Sequence, residues 1–255
     1  MEFLPVLDVI RPARERRWTV LLRLFLLIPQ LIVLWALSIA AAVIVFFGWF
    51  GALFLGRLPS FALNYLGRFL AYEVRVQGYG MLLVDRYPPF AFTAPDYPVQ
   101  IGLQPGPLNR AAVFFRLLLV IPAAIVQSVV YSGWIVCAFV IWLIVLIKGS
   151  MPQALFQSSA AVLRYSLRVE AYLYLLTSAY PKRLLGDQPI RDYDPAWGAA
   201  SATRPLVLSG GAQGLLVLFI ILGVLANIGS GIGGGTGDDS TTMSVSRDLG
   251  AQHSP

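Results

Sequence analysis

The chain reads as an all-α integral membrane protein built from two tandem parallel repeats, each a helical hairpin plus an interfacial amphipathic helix. A single C-terminal transmembrane helix follows, and short extended segments lie between the repeats. Three observations predict this. Hydrophobic residues make up 57% of the 255 positions against 13% charged, about half the charged share of a soluble domain. Residues 24–56, 117–147 and 205–237 lack any Asp, Glu, Lys, Arg or His. Finally, the chain repeats itself at an offset of 93 residues, without a gap, from 4–88 onto 97–181.

The repeat is carried by residues that chance similarity between apolar helices would not match. Pro5 falls on Pro98, Arg17 on Arg110, Arg23 on Arg116, Pro29 on Pro122, Trp49 on Trp142, Gly56 on Gly149 and Pro59 on Pro152. Further on, Tyr72 meets Tyr165, Arg75 meets Arg168, Tyr79 meets Tyr172, and Tyr87-Pro88 meets Tyr180-Pro181. The expected units are 1–93 and 94–186, then a cytoplasmic linker over 187–205, a transmembrane helix over 206–228 and a disordered polar tail over 229–255.

Each repeat opens with an extended segment, Leu4–Ile10 or Tyr97–Leu103, where proline and β-branched residues suit an edge strand. An arginine collar follows, then the apolar block. A bilayer core of about 30 Å takes about 20 helical residues, while 33 residues make about 50 Å of helix. Each block is therefore read as a tight hairpin, about 18–56 and about 111–148. Gln127, Ser128, Tyr131, Ser132 and Gly133 supply the turn in the second block; the first has only Ser38. A signal peptide is the competing account of the first block, disfavoured because the same pattern recurs in mid-chain.

Glycine and proline at Gly56/Pro59 and Gly149/Pro152 end one helix and open the next, giving interfacial helices about 60–85 and about 153–179. Their charges argue against spanning. Tyr72, Arg75 and Tyr79, like Tyr165, Arg168 and Tyr172, form one helical stripe. Tyrosine and arginine suit headgroup depth; the competing reading packs the stripe onto its own repeat, each Arg pairing Glu73, Glu170 or a backbone carbonyl. With both ends of each hairpin on one face, every Lys and Arg except Arg247 shares that face, which makes it cytoplasmic in a cell inner membrane, with the tail outside. Both copies then run in the same sense.

Gly56-Arg57-Leu58-Pro59, Arg75-Val76-Gln77-Gly78-Tyr79 and Leu82-Leu83-Val84-Asp85-Arg86-Tyr87-Pro88-Pro89-Phe90 together resemble the repeat of bacterial membrane proteins called domain of unknown function 4389. The second copy is similar through Arg168-Val169-Glu170-Ala171-Tyr172 and Leu175-Leu176-Thr177-Ser178-Ala179-Tyr180-Pro181. It carries Ser178-Ala179 where the first has Asp85-Arg86, so any role of that pair is single-copy. The resemblance covers roughly residues 4–200 and implies no activity.

No nucleotide loop, serine elbow or carboxylate pair inside an apolar block is present. Cys137 is the single cysteine and His253 the single histidine, so no disulfide or Cys/His metal site is expected. No enzyme, catalytic residue, cofactor or metal is expected, and the scattered arginines do not read as a nucleic-acid surface. The expected function is a non-enzymatic membrane scaffold or accessory subunit binding membrane lipids, a membrane-protein partner or a second copy. Its candidate contact residues are Tyr72, Arg75, Tyr79, Arg86, Tyr165, Arg168 and Tyr172. The alternative is a small transport or lipid-handling module with a site between the repeats, for which Gln30, Gln127, Ser128, Ser132 and Gln213 are the polar candidates. Gly210 and Gly214 are a candidate helix-contact motif, and Glu73 and Glu170 are expected as salt-bridge partners, with proton carriers as the alternative.

Overall fold

A computed structural model describes residues 4–187, 201 and 203–233; most of the linker expected over 187–205 and the tail from 234 onward lie outside them. The fold is mostly helical. Both extended lead-ins form strands, β1 (Val6–Val9) and β2 (Val99–Gly102), and they pair antiparallel with Val6 opposite Gly102 and Val9 opposite Val99. Adding 93 to Val6 and subtracting 93 from Gly102 gives Val99 and Val9, the other pair, so the ladder is two-fold symmetric between the repeats.

The apolar blocks are not hairpins. The first is one continuous helix, α1 (Arg17–Leu55, 39 residues), which runs through Pro29 and stops at Gly56, where φ is 69°. The second is a short α3 (Arg110–Phe114), a break at Phe115, and then α4 (Arg116–Lys148, 33 residues), stopped by Gly149 with φ 67°. The expected turn residues are satisfied inside the helix instead: Ser38 Oγ donates to Trp35 O at 2.7 Å and Ser132 Oγ to Val129 O at 3.0 Å. A hydroxyl bonded back one turn leaves the helix ladder intact, so neither serine has to break it.

The copies also run in opposite senses. Glu15 donates its backbone N–H to Gly149 O at 2.9 Å, and Leu108, its equivalent, donates to Gly56 O at 3.0 Å. The start of each long helix therefore meets the end of the other. Arg17 Nη2 reaches Ile147 O at 3.3 Å at the same end. Because each long helix is unbroken, arginine collars flank both ends of the bundle, and the argument for one common basic face falls.

α2 (Ser60–Gly80) and α5 (Gln153–Leu173) fold back along α1 and α4. Both end earlier than expected, because Leu82 and Leu175 turn left-handed (φ 63° each) and Leu83 N bonds back to Gly78 O, a cap of Schellman type. They are not surface helices: α5 is buried along most of its length, and α2 shows an outward face mainly over Phe61, Asn64 and Arg68.

The C-terminal helix, α6 (Gly210–Gly233), packs on α4 and α5. A Cβ at Gly133 would overlap the Phe219 backbone, and one at Gly223 would overlap the Val129 carbonyl. Gly210 and Gly214, the expected contact pair, have open space around them. Three helices, Arg17–Leu55, Arg116–Lys148 and Gly210–Gly229, are long and apolar enough to cross a membrane. Leu24, Phe25, Ile32, Phe47 and Phe54 on α1 face outward, an apolar surface far larger than soluble proteins expose.

Candidate functional site

The tyrosine–arginine stripes are interior. Tyr72, Arg75, Tyr79, Tyr165, Arg168 and Tyr172 are all buried. A guanidinium carries five donors and no acceptor, and here loop carbonyls meet them. Arg75 Nη2 donates to Ala91 O (2.6 Å) and Phe92 O (2.9 Å). Arg168 donates to Pro5 O (3.2 Å), Lys182 O (3.0 Å) and the Asp187 carboxylate (3.1 Å), which also holds Arg164. Of the two readings of the stripe, this packing onto the protein itself is the one the geometry matches. It buries six of the seven candidate residues; only Arg86 is exposed.

The tyrosines anchor the long helices. The Arg23 guanidinium lies over the Tyr79 ring (4.4 Å) and donates to Tyr79 O at 2.9 Å; its repeat equivalent Arg116 lies over Tyr172 (4.0 Å) and donates to Thr177 O. In the first copy alone, acids join. Glu15 is 3.2 Å and Asp85 3.6 Å from Arg23. Asp85 also accepts from Thr19 Oγ1 at 2.6 Å and from Arg16 N at 3.4 Å, at the first turn of α1, where a carboxylate complements the helix N-terminus. Burial, opposed by Arg23 and reinforced by Asp85, pushes the Glu15 carboxyl up to about 7.

Above this buried cluster opens a crevice of about 570 Å³, lined by Ile10, Arg11, Arg16, Thr19, Leu26, Tyr79, Asp85, Arg86 and Tyr87 among others. Arg11, Arg16 and Arg86 are exposed, as are Ile10 and Leu26. Arg86 Nη1 donates to Asp96 O at 3.0 Å, and Arg11 Nη2 donates to Met151 O at 2.6 Å with its guanidinium 5.6 Å from the Phe156 ring. The rim is thus cationic and the floor beside α1 apolar. Arg86 and Tyr79 are the two expected contact residues that line it. Arg11 and Arg16 had read only as collar.

A second polar group sits where α2, α4 and α5 meet. Tyr174 Oη lies 3.5 Å from Glu73 Oε2, and Gln127 Nε2 lies 3.5 Å from Glu170 Oε1. Gln77 also faces Glu170 and favours its charged form. Among the described residues Glu73 and Glu170 have no arginine or lysine partner, contrary to the salt bridges expected of them. Of the other polar candidates, Gln30 is held by Tyr72 Oη and Pro88 O, while Ser128 and Gln213 are exposed. Only Gln127 of that group reaches the junction between repeats. Among the described residues no cluster of three His, Cys, Asp or Glu could hold a metal ion.

The family description "Domain of unknown function (DUF4389)" matches residues 17–91 and again 110–184, together more than half of the chain. The chain belongs to the DUF4389 family. The two DUF4389 matches are offset by the same 93 residues as the internal repeat, and each begins where a long-helix segment begins, at Arg17 and Arg110. Each therefore takes in one long apolar helix, its amphipathic return helix and the loop that follows. The strand lead-ins and α6 fall outside both. No curated protein and no solved structure matches the chain.

Proposed function

We propose that this DUF4389 protein is a non-enzymatic integral membrane scaffold or accessory subunit of the cell membrane that binds anionic lipid headgroups. The carrying observation is the crevice at the start of α1, where exposed Arg11, Arg16 and Arg86 stand beside exposed Ile10 and Leu26. Arginine forks suit phosphate oxygens, and basic pockets beside membrane helices are the usual receptors of anionic lipid. The apolar flank of α1 runs directly away from that rim, so an acyl chain can follow the helix while its headgroup stays with the arginines.

The test is lipid retention in nanodiscs or by native mass spectrometry, comparing phosphatidylglycerol with phosphatidylcholine. The wild-type chain is expected to retain the anionic lipid preferentially. An Arg16→Gln/Arg86→Gln variant is expected to lose that preference while melting at the wild-type temperature in neutral lipid. Equal retention by both chains would sink the reading. The polar junction of α2, α4 and α5 supports the second reading, a small transport or lipid-handling module with its site between the repeats.

A further inference from the structure

Glu73 and Glu170 stand apart from every other enclosed acid. Among the described residues, Glu15, Asp85, Asp187 and Asp8 each pair with an arginine. Glu73, on α2, and Glu170, on α5, do not, although they interact with each other. The groups that face them from the surrounding elements are neutral: Gln77 on α2, Gln127 and Tyr131 on α4, and Tyr174 just past α5. Among the described residues no arginine, lysine or histidine contributes. One oxygen, Glu170 Oε2, is sealed from solvent and has no hydrogen-bond partner at all.

A sealed carboxylate oxygen without a partner is costly when charged and tolerable when protonated. Two carboxylates sharing one enclosure cannot both ionise cheaply, and they titrate as a pair. Gln127 and Tyr174 donate at long range to Glu170 Oε1 and Glu73 Oε2, while Glu170 Oε2 is sealed without a donor.

We propose that Glu73 and Glu170 form a binding site for one exchangeable proton at the junction of the two repeats. The proton comes from water, adds to a carboxylate oxygen of the pair, and returns to water on release; no other bond changes. Loading it removes one of two negative charges from the facing helices α2 and α5, so occupancy favours their close approach and release opposes it. This site is separate from the arginine crevice and stands or falls without it. Burial raises the Glu73 carboxyl to about 7, and burial with the Glu73 charge beside it raises Glu170 well above the ordinary range.

The experiment is an infrared titration of the purified full chain in lipid, following the protonated-carboxyl band. At about pH 6, where ordinary carboxylic acids are ionised, the wild-type chain is expected to keep such a band, and Glu170→Gln is expected to diminish it. Glu73→Gln is expected to lower the remaining midpoint by about one pH unit or more, because the like charge is gone. A purely packing role would leave that midpoint in place. The same titration in sodium chloride and in choline chloride separates occupants: a band lost with sodium at constant pH would overturn the assignment in favour of a metal cation. A Glu15→Gln chain with no protonated-carboxyl band at about pH 6 would overturn it outright.

Discussion

Trp142 donates its indole N–H to the backbone carbonyl of Val20, 2.8 Å away, tying the last turns of α4 to the first turn of α1. Its repeat equivalent Trp49 does the same to Val113 O at 2.9 Å. The pair pins both ends of the antiparallel arrangement. Replacing Trp142 with Phe keeps most of the apolar contact and removes one hydrogen bond, so a loss of about 1 kcal/mol is expected. Trp49→Phe should cost a similar amount, and the double variant close to the sum. Trp35→Phe, on an exposed ring, is expected to leave the unfolding midpoint in detergent unchanged. Unequal or strongly coupled losses would contradict the two-fold relationship.

The seat of α6 depends on two missing side chains. Gly133→Ala forces a methyl group into the Phe219 backbone, and overpacking of this kind costs about 1–3 kcal/mol. Gly223→Ala should behave likewise against Val129. Gly214→Ala, in open space, should be silent. The readout is protease access to the Arg204–Ser209 approach to α6, which should rise for the first two variants only.

Arg23 is buried between Glu15, Asp85 and the Tyr79 ring. Arg23→Ala strands an enclosed acid without its cation, and breaking a buried pair from one side costs about 3–5 kcal/mol. Expression or folded yield should fall sharply. Removing the acid as well, in Arg23→Met/Glu15→Gln, should recover much of the loss; no recovery would show that packing on Tyr79 rather than charge is what Arg23 supplies.

Stability should fall as pH rises from about 4.5 towards neutrality. Burial first, opposed by Arg23, lifts the Glu15 carboxyl from its ordinary 4.5 to about 7, so folding favours the protonated acid. Its contribution is full below about pH 4.5 and lost as pH climbs through about 7. Melting temperatures measured across that window should decline less steeply in Glu15→Gln than in the wild-type chain. An unchanged slope would mean that Glu15 titrates alike in folded and unfolded chains.

A single-crossing α1 makes a topological prediction. In a Cys137→Ser background, Ala13→Cys and Arg57→Cys flank α1 at opposite ends, both at exposed positions. In sealed vesicles an impermeant thiol reagent should reach one and not the other. Labelling of both from one side would restore the hairpin.

Much of the fold was legible in the sequence, and the losses have physical causes. Prolines, arginines and tryptophans at a fixed offset announced the repeat, and β-branched residues beside Pro5 and Pro98 announced the strands. A repeat in sequence carries no direction in space, so the antiparallel sense was invisible until Glu15 was seen at Gly149. Ser132 and Gly133 look like a turn because turns use the same residues. Here the serine bonds within its helix, and the glycine makes room for the Phe219 backbone. The stripe misled for a related reason: what satisfies Arg75 and Arg168 are carbonyls of Pro5, Ala91, Phe92 and Lys182, in loops that periodicity does not locate. Glu73 and Glu170 did leave a trace. They are offset by four positions between copies, and Glu170 aligns with Gln77, its partner across the two-fold crossing.

The exchanged lead-ins bear on how the molecule is made. Residues 6–15 find their strand partner and their helix-end acceptor only in the second copy, at Val99–Gly102 and at Gly149. A chain ending after the first copy would therefore lack the strand that pairs with Val6–Val9 and the carbonyl that accepts from Glu15, so the first copy has these contacts only once residues 99–149 have been synthesised.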